Sequence, residues 1–190
     1  MFVTGYLYGS GSGHHEDYAT VAYAAATGAQ LWSRLYNPGD LPDYGRSVAI
    51  SPDGSRVFVT GSSEGTGSSS DYATLAYDAD TGAGLWVSRY TGLGGKRVDE
   101  GAALAVSPDG SRVFVTGWSS EGYLNPDYAT LAYDAATGAP LWLMRYNGPA
   151  GREDEANGLA VAPDGTKVFV TGSSVSSLGG DDYLTLAYQA

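Results

Sequence analysis

Ser107-Pro108-Asp109-Gly110-Ser111-Arg112-Val113-Phe114-Val115-Thr116-Gly117 is the stretch that decides the fold. Proline locks φ where a tight turn needs it, and glycine adopts dihedrals that other residues avoid, so Pro-Asp-Gly is a turn. The run Arg112–Gly117 is rich in β-branched and aromatic residues and reads as a strand. The same stretch recurs along the chain. Phe-Val-Thr-Gly begins at Phe2, Phe58, Phe114 and Phe169, at spacings of 56, 56 and 55 residues. Ser-Pro-Asp-Gly begins at Ser51 and Ser107, and Ala-Pro-Asp-Gly at Ala162. Working outward, Asp-Tyr-Ala-Thr begins at Asp17, Asp71 and Asp127, and Asp182 opens the variant Asp-Tyr-Leu-Thr. Thr-Gly-Ala begins at Thr27, Thr81 and Thr137, and Leu-Trp closes on Trp32, Trp86 and Trp142. A fixed register of this kind marks a repeat architecture.

Each full unit reads as four strands. In the unit from residue 101 they are Ala102–Ser107, Arg112–Gly117, Asp127–Tyr133 and Leu141–Tyr146. Four short antiparallel strands per unit make a β-propeller blade. Blades converge on an axis, so the strand carrying Ala102, Ala103 and Ala105 is expected innermost and the tryptophan-bearing strand outermost. The predicted fold is therefore all-β, one propeller segment over residues 1–190. Its units lie at about 1–45 (partial), 46–100, 101–155 and 156–190 (partial), some three and a half blades with 3 + 4 + 4 + 3 strands. A closed ring needs four to eight blades. Two chains would supply 28 strands, the number in seven blades, although at each junction two strands would compete for one place. The expectation is a homo-oligomer, with a dimer favoured. The competing expectation is a truncated piece of a longer propeller.

Composition narrows the partners. The net charge is −11, which repels polyanions, so nucleic acid and anionic membranes are not expected. With no cysteine there is no disulfide, thiolate metal site or cysteine nucleophile. No apolar run is long enough to span a bilayer. Met1-Phe2-Val3-Thr4-Gly5 has no basic region followed by a long apolar one, so no signal peptide is visible. Carbohydrate and protein ligands stay open.

The turn before each tryptophan carries a resemblance. Ala76-Tyr77-Asp78-Ala79-Asp80-Thr81-Gly82-Ala83-Gly84-Leu85-Trp86 fits the pattern Ala-x-Asp-x-x-Thr-Gly-x-x-x-Trp, as does Ala132–Trp142 with Asp134, Thr137 and Gly138. Ala22–Trp32 fits except that Ala24 replaces the aspartate, and a fourth copy opens at Ala187. This resembles the tryptophan-docking motif of PQQ-type β-propellers. Read physically, Thr-Gly makes a tight turn, Asp accepts backbone N–H groups across it, and the indole is a flat surface able to wedge between blades. Trp32, Asp78, Thr81, Gly82, Trp86, Asp134, Thr137, Gly138 and Trp142 are therefore expected to be structural. The resemblance implies a secreted or periplasmic location. Its quinone enzymes hold PQQ and calcium on the ring axis through acidic and amide residues, some with adjacent cysteines. This chain shows no match to those positions, so PQQ is not expected.

The remaining candidates follow from position. Loops entering the innermost strand carry Asp43, Asp99, Glu100, Asp154 and Glu155. Hard cations prefer such oxygen clusters, so an axial-rim calcium site is one reading and solvated surface charge the other. His14-His15-Glu16 offers transition-metal ligands or an exposed loop tip. Asp17, Asp71, Asp127 and Asp182 recur in every unit and are expected to bond loop backbone. The tyrosines at 18, 72, 128 and 183 and at 23, 77, 133 and 188 are expected to pack between blades, with sugar stacking by an exposed tyrosine or Trp118 as the functional alternative. The reading reached is a non-catalytic binding or assembly scaffold using the loops Ser62–Ser70 and Trp118–Pro126. The alternative is a fragment of a PQQ-dependent dehydrogenase-like propeller.

Overall fold

The computed structural model describes residues 1–8, 15–65, 69–92, 98–120 and 125–190. The strands are β1 (Phe2–Tyr8), β2 (Glu16–Tyr23), β3 (Gln30–Tyr36), β4 (Asp43–Ile50), β5 (Arg56–Glu64), β6 (Ser70–Asp78), β7 (Gly84–Tyr90), β8 (Asp99–Val106), β9 (Arg112–Ser120), β10 (Pro126–Asp134), β11 (Pro140–Tyr146), β12 (Asp154–Val161), β13 (Lys167–Val175) and β14 (Asp181–Gln189). They form four antiparallel sheets, β1-β2-β3, β4-β5-β6-β7, β8-β9-β10-β11 and β12-β13-β14. This is a sector of a β-propeller. Among the described residues there is no helix, hence none long and apolar enough to cross a membrane.

The first strands of consecutive sheets pack against one another, β4 on β8 and β8 on β12, and no comparable contact joins the outer strands β3, β7 and β11. Small side chains permit that convergence, and one glycine makes it closer still. A Cβ on Gly61 would lie 1.8 Å from the Tyr44 carbonyl, and one on Gly117 1.9 Å from the Glu100 carbonyl. The final glycine of Phe-Val-Thr-Gly is thus required wherever the inner strand crosses it. Opposite that glycine each inner strand bulges, at Arg46, Ala102 and Asn157. The threonine of the same motif meets the threonine of Asp-Tyr-Ala-Thr across the sheet, Thr60 with Thr74 at 3.0 Å and Thr116 with Thr130 at 2.9 Å.

Three sequence-based boundaries shift. The inner strands begin at Asp43, Asp99 and Asp154, so the five acidic residues placed on entering loops lie inside strands. The bulge absorbs one residue and lets pairing continue past it. β5 runs to Glu64 and β9 to Ser120, so Ser62, Ser63 and Trp118–Ser120 are strand and not loop. The core lies between sheets: Phe58 and Tyr72 of the second sheet pack with Leu104, Val113, Val115 and Leu131 of the third.

Candidate functional site

Each junction between sheets is built the same way, and the departures from that plan define the site. Trp32 donates its Nε1–H to the Ala79 carbonyl at 2.9 Å, and Trp86 to the Ala135 carbonyl at 3.1 Å. Each indole lies on the Thr-Gly turn of the next sheet, where a Cβ on Gly82 or Gly138 would meet the ring at 2.6 Å. Asp78 Oδ1 holds that turn by accepting from Thr81 N (2.8 Å) and Thr81 Oγ1 (2.7 Å), and Asp134 does the same for Thr137. These bonds keep the Asp78 and Asp134 carboxyls below the usual carboxylate range, the Thr81 and Thr137 hydroxyls contributing most. Trp142 packs on Phe114 and Tyr188.

Arginine supplies a second tie that sequence reasoning missed. Arg89 donates to Ser63 Oγ (2.6 Å), the Ser63 carbonyl (2.7 Å), the Asp71 carboxylate (2.9 Å) and the Tyr36 hydroxyl (3.3 Å). Arg145 repeats this with Ser119, Asp127 and Tyr90. Tyr36 and Tyr90 belong to the preceding sheet, so each arginine fastens its own sheet to a neighbour. Asp71 and Asp127 thus each bond an arginine side chain. The signal was present as Arg-Tyr recurring three residues after tryptophan in β7 and β11.

The third tie uses the acidic residues that open the inner strands. Asp99 accepts the Gly92 N–H at 2.7 Å and Asp154 the Gly148 N–H at 2.6 Å, latching the crossover loop from the preceding sheet. Asp43, Asp99 and Asp154 are buried, whereas Glu100 is drawn to Arg46 at 2.9 Å. Glu155 is partly buried; burial, then Glu153, Glu100 and Asp181, raise its carboxyl above the usual range. Among the described residues no three acidic or imidazole groups gather to hold a metal ion. His14 lies outside the described residues.

The first junction departs from the plan. At the repeat position of Gly92 and Gly148 stands Pro38, which has no N–H to give. Leu7 and Leu35 stand where Ser63 and Arg89 stand in the next sheet. Asp17 accepts instead from Asn37 Nδ2 at 2.7 Å. Asp43, deprived of its backbone donor, has its carboxyl pushed up to about 6 by burial, with Ser63 and Arg89 pulling it back and Asp17 and Glu64 adding repulsion. On the same side, Tyr6 meets Tyr44 edge-on at 5.2 Å, and the Arg46 guanidinium lies 5.7 Å from the centre of the Tyr44 ring. The Glu16 carboxylate raises the Tyr8 phenol above its ordinary range, and burial followed by Glu16 raises that of Tyr44.

A family model described as outer membrane protein assembly factor BamB matches residues 16–176. No curated protein matches the sequence. A europium-containing methanol dehydrogenase superposes with a TM-score of 0.55 at 17% identity, over 90% of this chain and 34% of that one. A hypothetical selenium-binding protein from Sulfolobus tokodaii gives 0.50 at 12% identity, over 90% and 47%. TolB from Acinetobacter baumannii gives 0.46 at 18% identity, over 91% and 38%. The chain thus spans between a third and a half of the length of these solved structures, and at such identities the likeness is one of fold. With the repeats, the sheet order and the family match in agreement, this chain belongs to the PQQ-type β-propeller repeat family.

Proposed function

We propose that this chain is a non-catalytic propeller segment that binds and assembles, its ring completed by further blades, with a second copy of the chain as the favoured source. One observation carries the reading. Val59 and Val115 are fully buried by the sheet before them, and Phe58 and Phe114 by the sheet after them. At the same repeat positions Val3 is 47% exposed and Phe169 41% exposed. The two end faces of the sector are therefore apolar surfaces of the kind that associate. The polar residues that recur between sheets support a structural part, because Arg89, Arg145, Asp99 and Asp154 are all engaged in joining sheets. Light scattering after size exclusion tests the reading: the expected mass is twice the 19.7 kDa of one chain. A folded monomer at micromolar concentration overturns self-association. The family description, an assembly factor of outer-membrane proteins, supports a secreted or periplasmic placement, which fractionation of cells expressing the tagged chain would check.

A further inference from the structure

In a repeat protein, what recurs in every blade is architecture, and what occurs once is free to serve a ligand. The aromatic cluster of the first junction occurs once. At the repeat position of Tyr6 the next two sheets carry Ser62 and Trp118, and at that of Tyr8 they carry Glu64 and Ser120. Tyr44 is replaced by Glu100 in the third sheet, and Glu16 by Ser70 and Pro126 in the second and third. The later sheets form with other residues at these positions.

The cluster is exposed and held in place. Tyr6 is 50% and Tyr8 75% exposed, and as residues i and i+2 of β1 they share one face of the strand. Tyr44 is held edge-on by Tyr6 and flanked by Arg46. Arg46 is itself steadied by Glu100 at 2.9 Å. Rigid tyrosines offer a large amphipathic surface at low conformational cost, and their prior ordering removes part of the entropy that binding would otherwise lose. The polar groups around the rings are mixed: carboxylates accept, and the guanidinium and phenols donate. A sugar hydroxyl both donates and accepts, and the C–H face of a pyranose is apolar. An anionic ligand would meet a chain of net charge −11.

We propose that Tyr6, Tyr8 and Tyr44, with Glu16 and Arg46, form a binding site for neutral glycans, stacking sugar rings on the tyrosines and bonding their hydroxyls to the charged groups. This rests on the reading of the chain as a binding scaffold and names the ligand class for it. The test is calorimetric titration of the intact chain with cellohexaose, maltohexaose, mannohexaose and chitohexaose. One of these is expected to bind with a Kd on the order of 0.1–1 mM. Tyr6→Ala and Tyr44→Ala should each weaken binding about tenfold. Tyr183→Ala, on an exposed tyrosine of the fourth sheet, should leave binding unchanged. Tyr44→Phe keeps the ring and should retain binding within a few-fold, which guards against misreading a folding defect. Saturation by none of the four sugars, or parental affinity in Tyr6→Ala, overturns the glycan site. Tyrosine-dependent capture of unstructured peptides from a display library, without glycan binding, overturns the glycan assignment and leaves the scaffold reading standing. Tyrosine-dependent binding of neither class overturns the ligand site and leaves assembly to be judged by the mass in solution.

Discussion

At the scale of single residues, the tryptophan contact can be isolated by two glycines with the same backbone and different neighbours. Gly28 and Gly82 both occupy the Thr-Gly turn, with φ of 71° and 68°. A Cβ on Gly28 meets nothing within 4 Å, whereas one on Gly82 meets the Trp32 ring at 2.6 Å. Both alanine variants suffer the left-handed strain, about 1–2 kcal/mol. Only Gly82→Ala must also push an indole off its seat, so it should lose at least about 1 kcal/mol more than Gly28→Ala. Equal losses in a urea titration would mean that the indole does not rest on the turn as tightly as the geometry requires. Trp86→Ala removes the corresponding ring from the next junction, where it packs on Phe58 and Tyr133. The expected cost is about 3–5 kcal/mol, and a melting temperature within a degree or two of the parent would refute the structural assignment.

At the scale of elements, the crossover loops differ by one residue with a measurable consequence. The loops after β7 and β11 give the N–H of Gly92 and Gly148 to a buried aspartate, and the loop after β3 has Pro38 and gives none to Asp43. With its carboxyl near 6 in the fold, against the ordinary 3.8, Asp43 binds a proton more readily in the native than in the unfolded chain. Its contribution to stability therefore falls as pH rises from about 4 to about 6 and stays unfavourable above that. Asp43→Asn should accordingly raise stability at pH 7.5, by on the order of 2 kcal/mol, and change it little at pH 3.5. Melts of both proteins at the two pH values decide the matter; an asparagine variant weaker than the parent at pH 7.5 would show that the carboxylate is needed ionised beside Arg89. Burial raises the Asp99 carboxyl as well, but Ser119 and the Gly92 N–H hold it back, so Asp99→Asn should gain less than Asp43→Asn at pH 7.5.

At the scale of the whole molecule, the fold was legible because its constraints are local and repeated: a turn residue, a glycine under a crossing strand, a tryptophan ten positions after the alanine that opens its motif. The site was not. Asp43, Asp99 and Asp154 looked like rim charges, because nothing in a sequence shows that a bulge draws them into a buried strand. The pairing of Arg89 with Tyr36 joins residues 53 apart, and the neighbourhood of Tyr6, Tyr44 and Arg46 spans two sheets. Such contacts come from how blades stack, which a repeat period fixes only on average. The same stacking carries the last prediction. Interior sheets bury their valine and phenylalanine faces on both sides, and the sector presents one of each, at Val3 and Phe169. If copies of the chain cover these faces, folding and association are linked, and the melting temperature must rise with protein concentration. A tenfold dilution should lower the apparent stability of a dimer by about 1.4 kcal/mol. Val3→Lys, which places a charge on the face without touching the interior sheets, should shift the mass towards the single chain and remove the concentration dependence. A parent whose melting temperature is the same at 1 µM and 100 µM, an experimental span of about two decades, would refute the coupling and favour the competing reading, in which this segment is part of a longer propeller whose other blades cover the end faces.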